Sequence, residues 1–577
     1  MKPKDLIFVL LCITFVVKGQ ISRDQILGDV QIFPDERTKL VINTNILLAG
    51  EPLQYKIYNH TDSNTSSTLS KVAYVSLRGV NDSVIFEHKL RLKKGMSQGS
   101  FFIPTGLETG IYQLLSYTNF SLNNLENGIT PKTIYIINPY VKGNVHLKNE
   151  IDSAQRVRIF PSTASDVLPR PEARYFSLKT DKSIYALREE VNLTVENLND
   201  QEGSGNYALS VRRLDPIQVS EPHAETEKYS IRGRNLFYLP ELRGELIFGR
   251  VLSVDGEKPI ENQVVAFTVP GKDYIFKMAK TNLQGRFFIS IDQSYETAKS
   301  IMQVVGPDKE QYKIVLEDAT FDSTELKSTY DLQLNPEIKD WLQERSIQLQ
   351  IHNAYFNEES IVVSKGESGD RFYSNIGRDY FLDDYTRFPS IRETMVEVVG
   401  FARIRRKNGK EAFEVFDPYN PYKKGPFSSN DPLLLVDGIL VQDHDEVLGN
   451  SAHDLERIHV FPGPYRYGPE VFWGIIDIIS KNGDFVPQLS GEYITEFELE
   501  GPMLYKRYSS PDYSTKALQR IPDYRTQLFW GPNVRLDSKK LTQHFYVSDV
   551  PGTYRILLEG YSDEGSYIME EHFFEVK

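Results

Sequence analysis

The stretch Gly95-Met96-Ser97-Gln98-Gly99-Ser100-Phe101-Phe102-Ile103-Pro104, with Leu107-Glu108-Thr109-Gly110-Ile111-Tyr112-Gln113-Leu114-Leu115-Ser116-Tyr117 after it, decides the fold. Two short apolar or alternating runs are set apart by Pro and Gly. Runs of this length between turn residues read as β-strands. The Gly-x-Tyr element at Gly110 makes a turn and then a half-buried strand. The Gly-Ser-Phe-Phe-Ile-Pro element can edge a sheet, because proline cannot donate to a ladder. The same punctuation recurs at Lys71 to Leu77, Val191 to Val195 and Phe287 to Ile291. Many short strands with turn signals between them predict β-sandwiches. Tyr 33 and Phe 32 against Trp 3 and Met 7 is a strand-rich palette.

The chain has 577 residues, enough for about four domains as a prior. Hydrophobic residues make up 40%, too many for a disordered chain and too few for a multi-span membrane protein. The net charge of −13 argues against a nucleic-acid partner, which calls for a basic footprint. Residues 1–20 read as a secretory signal peptide: Lys2 and Lys4 precede the apolar run Leu6 to Val17, and Gly19-Gln20 offers a cleavage neighbourhood. A retained anchor and a lipoprotein reading of Cys12 are the weaker alternatives. Cys12 is the one cysteine, so a mature chain beginning at Ile21 is expected to have no disulfide, thiol nucleophile or thiolate metal site. The later run Val471 to Ile479 is of strand length and is interrupted by Asp477.

Five segments carry resemblances. Gly50-Glu51-Pro52-Leu53-Gln54-Tyr55, Lys71 to Leu77 and the opening stretch resemble a macroglobulin-like β-sandwich over 21–140. Leu178 to Tyr185, Val191 to Val195 and Tyr207 to Arg213 resemble a second such sandwich over 141–240. Lys258-Pro259-Ile260-Glu261-Asn262 and Thr281-Asn282-Leu283-Gln284-Gly285-Arg286-Phe287 resemble a carboxypeptidase-regulatory-like sandwich over 241–330, with Asn282 and Gly285 forming a tight hairpin turn. A helical or linker segment follows over 331–384. Its helix, Asn335 to Tyr355, has Ile338, Trp341, Leu342, Arg345, Leu349 and His352 at helical spacing. A short helical turn is expected at Ser451 to Arg457.

Segment 385–487 is similar to the plug domain of TonB-dependent outer-membrane receptors. Val436-Asp437-Gly438, Leu455-Glu456-Arg457-Ile458-His459-Val460, Tyr467-Gly468, Gly474-Ile475-Ile476-Asp477-Ile478 and Lys481-Asn482-Gly483 occur in the family's order. Pro462, Pro464, Pro469 and Trp473 replace the family's flexible stretch, which puts a mobile, gating plug in doubt. About 90 residues follow Pro487, whereas a 22-stranded barrel needs over roughly 200 in strands alone; the chain is therefore not expected to be a receptor itself. Segment 488–577 resembles a final sandwich of the same proteins, and its ending is loosely compatible with a C-terminal sorting domain. The combination resembles Bacteroidota multidomain envelope proteins.

The fold class expected is mainly β: a chain of macroglobulin/Ig-like sandwiches with one small α/β unit. A thioester trap, which the macroglobulin resemblance invites, requires a cysteine that the mature chain lacks. No zinc-protease motif or phosphate-binding loop occurs, and no catalytic residue, cofactor or metal is expected. Asp443-His444-Asp445-Glu446 reads as a solvated acidic loop before a cation site, and His453 and His459 are badly placed to share a metal. Tyr465, Tyr467, Phe472 and Trp473 are the candidate partner-binding loop; packing beneath the plug-like sheet is the competing reading. The expected role is a non-enzymatic envelope scaffold, docking on an outer-membrane β-barrel or transport complex and not itself spanning the membrane. A surface adhesin or glycan/peptide-binding protein is the alternative.

Overall fold

The computed structural model describes residues 33–79, 83–124, 128–141, 156–162, 175–198, 203–220, 238–256, 258–317, 331–355, 361–363, 371–373, 376–407, 409–416, 430–485, 487, 489–503, 506–508, 510–514, 520–537 and 540–577. The signal-peptide stretch, Cys12 included, lies outside them. The described chain is mainly β, in sandwiches plus one α/β unit.

The first sandwich packs a sheet of Glu36–Ile42, Pro52–Thr61 and Met96–Phe102 against a five-stranded sheet of Ile46–Leu48, Thr130–Ile137, Gly110–Tyr117, Val72–Arg78 and Val84–Arg91. Its core brings Leu53, Tyr55 and Ile57 against Val75, Leu77, Leu114 and Ile134. Glu36 is fully buried there. Its carboxylate accepts from Asn59 Nδ2 at 2.7 Å, Ser67 Oγ at 2.6 Å and Thr118 Oγ1 at 2.9 Å. Such donors replace the water that a buried carboxylate loses.

The sequence separates 141–240 from 488–577, but their strands form one sandwich. One sheet is Phe176–Thr180, Glu190–Asn197 and Lys540–Tyr546. The other is Ile184–Tyr185, Tyr567–Val576, Gly552–Ser562, Gly205–Arg213 and Gln527–Leu536. Val191, Leu193 and Val195 alternate inward and meet Phe545, Ile556, Leu558 and Phe574 in a single core. A period-two pattern fixes which face of a strand is buried but not which strand lies beside it. That is why the two halves looked like independent domains.

The third sandwich has a similar surprise. Arg286–Ile291, Glu245–Ser253 and Tyr312–Glu317 form one sheet. Ile275–Lys280, Val264–Val269 and Ala298–Val305 form the other, which is completed by Ile494–Leu499 from beyond the α/β unit. The turn at Asn282 and Gly285 is present: Asn282 Oδ1 accepts from the amides of Gln284 and Arg286, and Gly285 sits at φ 69°. The strands it joins lie in different sheets, so it turns a corner of the sandwich instead of closing a hairpin.

Between Tyr312–Glu317 and Ile494–Leu499 lies the α/β unit, with sheet order Arg378–Phe381, Leu455–Tyr467, Glu470–Ser480, Leu433–Val436, Ile439–Leu440. Helix Ile391–Glu397 and hairpin Ala402–Lys407/Lys410–Val415 cover one face over a core of Ile391, Met395, Phe413, Val436, Ile458 and Ile476. The helical turn expected at Ser451 to Arg457 instead falls at Asp445–Leu448, since Ser451 is held in a bridge to Ser390 and the strand already begins at Leu455.

The expected helix forms as a 3-10 turn at Pro336–Ile338 followed by Lys339–Tyr355. The Asn335 side chain caps it by accepting from the Glu337 amide. Ile338 and Leu349 pack on a small sheet of Ile217–Ser220, Arg156–Pro161 and Asp331–Leu334, and on Leu48, Ile111 and Ile137 of the first sandwich. From this helix the buried Arg345 forks onto Glu51 (2.8 Å to each carboxylate oxygen) and reaches Asp215 at 2.5 Å. Glu51 belongs to the first sandwich, and Asp215 follows the strand Gly205–Arg213 of the second. Arg345→Ala is expected to lower unfolding stability by about 3–5 kcal/mol, because it strands two carboxylates away from water. Combined with Glu51→Ala it should cost clearly less than the sum of the two single changes, read from a double-mutant cycle in chemical denaturation.

Candidate functional site

The aromatic segment is the outer half of a long β-hairpin. Tyr465 pairs with Phe472 and Pro464 with Trp473 beyond a register shift after Phe461, and Gly468 takes φ 56° in the turn. The irregularity lets the strand absorb Pro462 and Pro464. Tyr465, Tyr467 and Phe472 do not form a free loop; they join the apolar cluster of Leu433, Leu435 and Ile475 on one face of their own sheet. They cross to the third sandwich and pack with Phe276, Met278 and Phe372. The Tyr467 ring stacks on Phe276 at 5.6 Å, and its hydroxyl donates to the Phe276 carbonyl at 2.5 Å. The Tyr465 hydroxyl donates to the Phe372 carbonyl at 2.7 Å. Trp473 is partly buried, and its amide donates to the Asp431 carbonyl at 3.3 Å.

The Val-Asp-Gly turn fastens the same junction. Asp437 and Gly438 both have positive φ, 46° and 81°. The buried Asp437 carboxylate accepts from the Ser480 amide and hydroxyl at 2.8 and 2.7 Å and from the Phe485 amide at 2.9 Å, tying the turn to the end of Glu470–Ser480. The Gly438 carbonyl accepts from Thr268 of the third sandwich at 2.9 Å. A Cβ on Gly438 would stand 2.2 Å from the Tyr274 ring.

Behind the hairpin lies a polar cluster that sequence reasoning did not single out. His459 and Asp477 are cross-strand partners, both fully buried. His459 Nδ1 lies 3.0 Å from Asp379 Oδ1, its ring stacks on Tyr373, and the Tyr373 hydroxyl donates to Asp477 at 2.5 Å. Burial pushes the Asp477 carboxyl up to about 6, with hydrogen bonds from Tyr373 and Tyr274 and the charge of Arg371 acting the other way. His459 Nε2 has no hydrogen-bond partner among the described residues, while the buried Tyr274 hydroxyl faces the Asp477 carboxylate. The cluster backs a cleft of about 330 Å³ between the third sandwich and the α/β unit, lined in part by Tyr274, Phe276, Phe372, Phe381, Arg371 and Arg457. The signal in the sequence was Asp477 itself, a carboxylate in an otherwise apolar strand.

The Asp443–Glu446 cluster serves another purpose. Asp443 pairs with Lys309 at 2.8 Å and Lys410 at 3.3 Å. His444 is buried, accepts from the Phe413 amide at 3.1 Å, and is pushed down to about 4 by that burial. His453 is exposed while His459 is buried. Among the described residues no three His, Cys, Asp or Glu side chains are grouped to hold a metal ion.

No protein-family model matches the sequence, and no curated protein matches it. Among solved structures, Salmonella alpha-2-macroglobulin reacted with methylamine is similar over 94% of this chain, at 8% identity and a TM-score of 0.23. The native conformation of E. coli alpha-2-macroglobulin is similar over 94%, at 9% identity and a TM-score of 0.24. The chain spans 39% and 40% of the length of these two proteins. The Yersinia pseudotuberculosis adhesin InvE is similar over 49% of this chain and 58% of its own, at 13% identity and a TM-score of 0.13.

Two outcomes are expected at this junction. Gly438→Ala should cost on the order of 2–3 kcal/mol, from backbone strain and the Tyr274 overlap together; thermal unfolding measures it. For Asp477, the folded chain holds a proton that the unfolded chain releases near 3.8. Its contribution to stability is therefore greatest below that value, falls as pH rises to about 6, and is level above. Relative to Asp477→Asn, the wild-type chain should lose stability between pH 4 and 6 and none further between 6 and 8, by denaturant titration at each pH.

Proposed function

We propose that the protein is a non-enzymatic binding scaffold of the cell envelope, exported by its N-terminal segment, which docks on an outer-membrane β-barrel or transport complex. The observation that carries this reading is the clamp on the α/β unit. Tyr467 hydrogen-bonds to the Phe276 backbone on the far side of the junction, and the Gly438 carbonyl takes a second bond from Thr268. A plug that gates a barrel must move, whereas a unit pinned at these points is suited to presenting a fixed surface. The resemblance of its strands to a receptor plug supplies the class of partner. Among the described residues no helix is long and apolar enough to cross a membrane, and the scaffold needs no cofactor.

The full chain, tagged and incubated with detergent-solubilised outer membranes, should retain a β-barrel protein in a pull-down. Tyr465→Ala/Tyr467→Ala, which frees the hairpin, should weaken that retention severalfold and open the junction to limited proteolysis. Consistent failure to retain any barrel protein overturns the reading. Extensive cleavage of the chain on intact cells by added protease would favour the adhesin alternative.

A further inference from the structure

We propose that Lys56 and Asn206 join in an intramolecular isopeptide bond that locks the first sandwich to the second. Lys56 lies on Pro52–Thr61 of the first sandwich and Asn206 on Gly205–Arg213 of the second, 150 residues away in the chain. The lysine is fully buried. Its amine donates to Asn206 Oδ1 at 2.6 Å and to the Asn206 backbone carbonyl at 2.8 Å. Lysine is almost never buried so completely without a carboxylate partner. Here both bonds go to one asparagine, and the charged group that bears on the amine is a cation, Arg535. The carboxylates of this region are committed elsewhere. Asp537 and Asp563 hold Arg535, and Glu559 accepts from the Tyr567 hydroxyl at 2.7 Å.

These surroundings suit a nucleophile. Burial holds the Lys56 ammonium well below its ordinary value, and Arg535 acts in the same direction. Desolvation beside another cation activates a lysine by favouring the neutral amine. Attack of Nζ on the Asn206 side-chain carbonyl carbon forms a new C–N bond. The Cγ–Nδ2 bond breaks, the proton shed by Nζ passes to the departing nitrogen, and one ammonia leaves. The step consumes no oxidant, reductant or other co-reactant. The Tyr58 hydroxyl donates to the Asn206 backbone carbonyl at 2.7 Å, and Lys56 Nζ stands 4.5 Å from the centre of the Tyr58 ring. Tyr58 is therefore placed to relay the proton, and burial, pushing its hydroxyl up, keeps it protonated. Fixing amine and carboxamide against each other replaces a bimolecular encounter with an intramolecular one, which lowers the barrier. The described residues contain no cysteine, so no disulfide fastens these two sandwiches.

Mass spectrometry of the purified full chain tests the proposal. The intact mass should fall below that calculated from the sequence by one ammonia. A tryptic digest should contain one branched peptide that joins the segments around Lys56 and Asn206. Lys56→Met and Asn206→Ala should each regain the missing mass and lose the branched peptide. Tyr58→Phe should slow bond formation severalfold when it is followed from the start of refolding. A folded wild-type chain of full mass, with no branched peptide after prolonged incubation at alkaline pH, overturns the proposal. An ammonia loss that persists in both Lys56→Met and Asn206→Ala overturns it as well. The wild-type measurement decides the matter even where a variant fails to fold. The barrel pull-down is independent of this outcome.

Discussion

The architecture hangs on a buried ionic knot. Arg345 carries its guanidinium to a place without water, and only the pairing with Glu51 and Asp215 makes that position tolerable. The partners come from two different sandwiches, and the helix that supplies the arginine rests on a third small sheet. Glu51 also accepts from the Leu48 amide at 3.0 Å, and Arg212 approaches it at 3.6 Å. Apolar packing would have held these elements together without dictating their orientation. Charges in fixed fork geometry accept one arrangement and penalise the others, so the knot specifies how the sandwiches meet more than it adds net stability.

A second junction uses different means. The α/β unit meets the third sandwich through tyrosine rings, and the Tyr467 hydroxyl finds the Phe276 carbonyl across the gap. Tyrosine suits that place because it buries a large apolar face while its tip still demands a partner. The same junction encloses a buried polar cluster in which Asp477 is served by Tyr373 and Tyr274 and His459 by Asp379.

The helix at Lys339–Tyr355 and the sandwich strands were legible because their signals are local: helical spacing from Ile338 to Leu349, alternation at Val191 to Val195. The partners of those strands were not legible. Nothing in Val191-Asn192-Leu193 points to Gln543 and Phe545, some 350 residues away, yet these are its neighbours. The aromatic hairpin shows the same limit: its residues were found, but the surface they cover lies on a distant strand. His459 looked ordinary because its significance comes from pairing with Asp477 across the hairpin, and register is a tertiary fact.

The interleaving of segments has a cost in time. Arg212 and Gln527 sit side by side in one sheet, while the third sandwich, and the α/β unit inside it, occupy the chain between them. The half-built sheet around Gly205–Arg213 must wait for about 300 residues to emerge, roughly 15–60 s at ordinary synthesis rates. During that wait it presents unpaired strand edges, the surfaces through which chains join one another wrongly. The first sandwich, complete within one contiguous segment, has no such delay. The second sandwich therefore closes only when its distant strands arrive, and until then its edges stay open to wrong pairing.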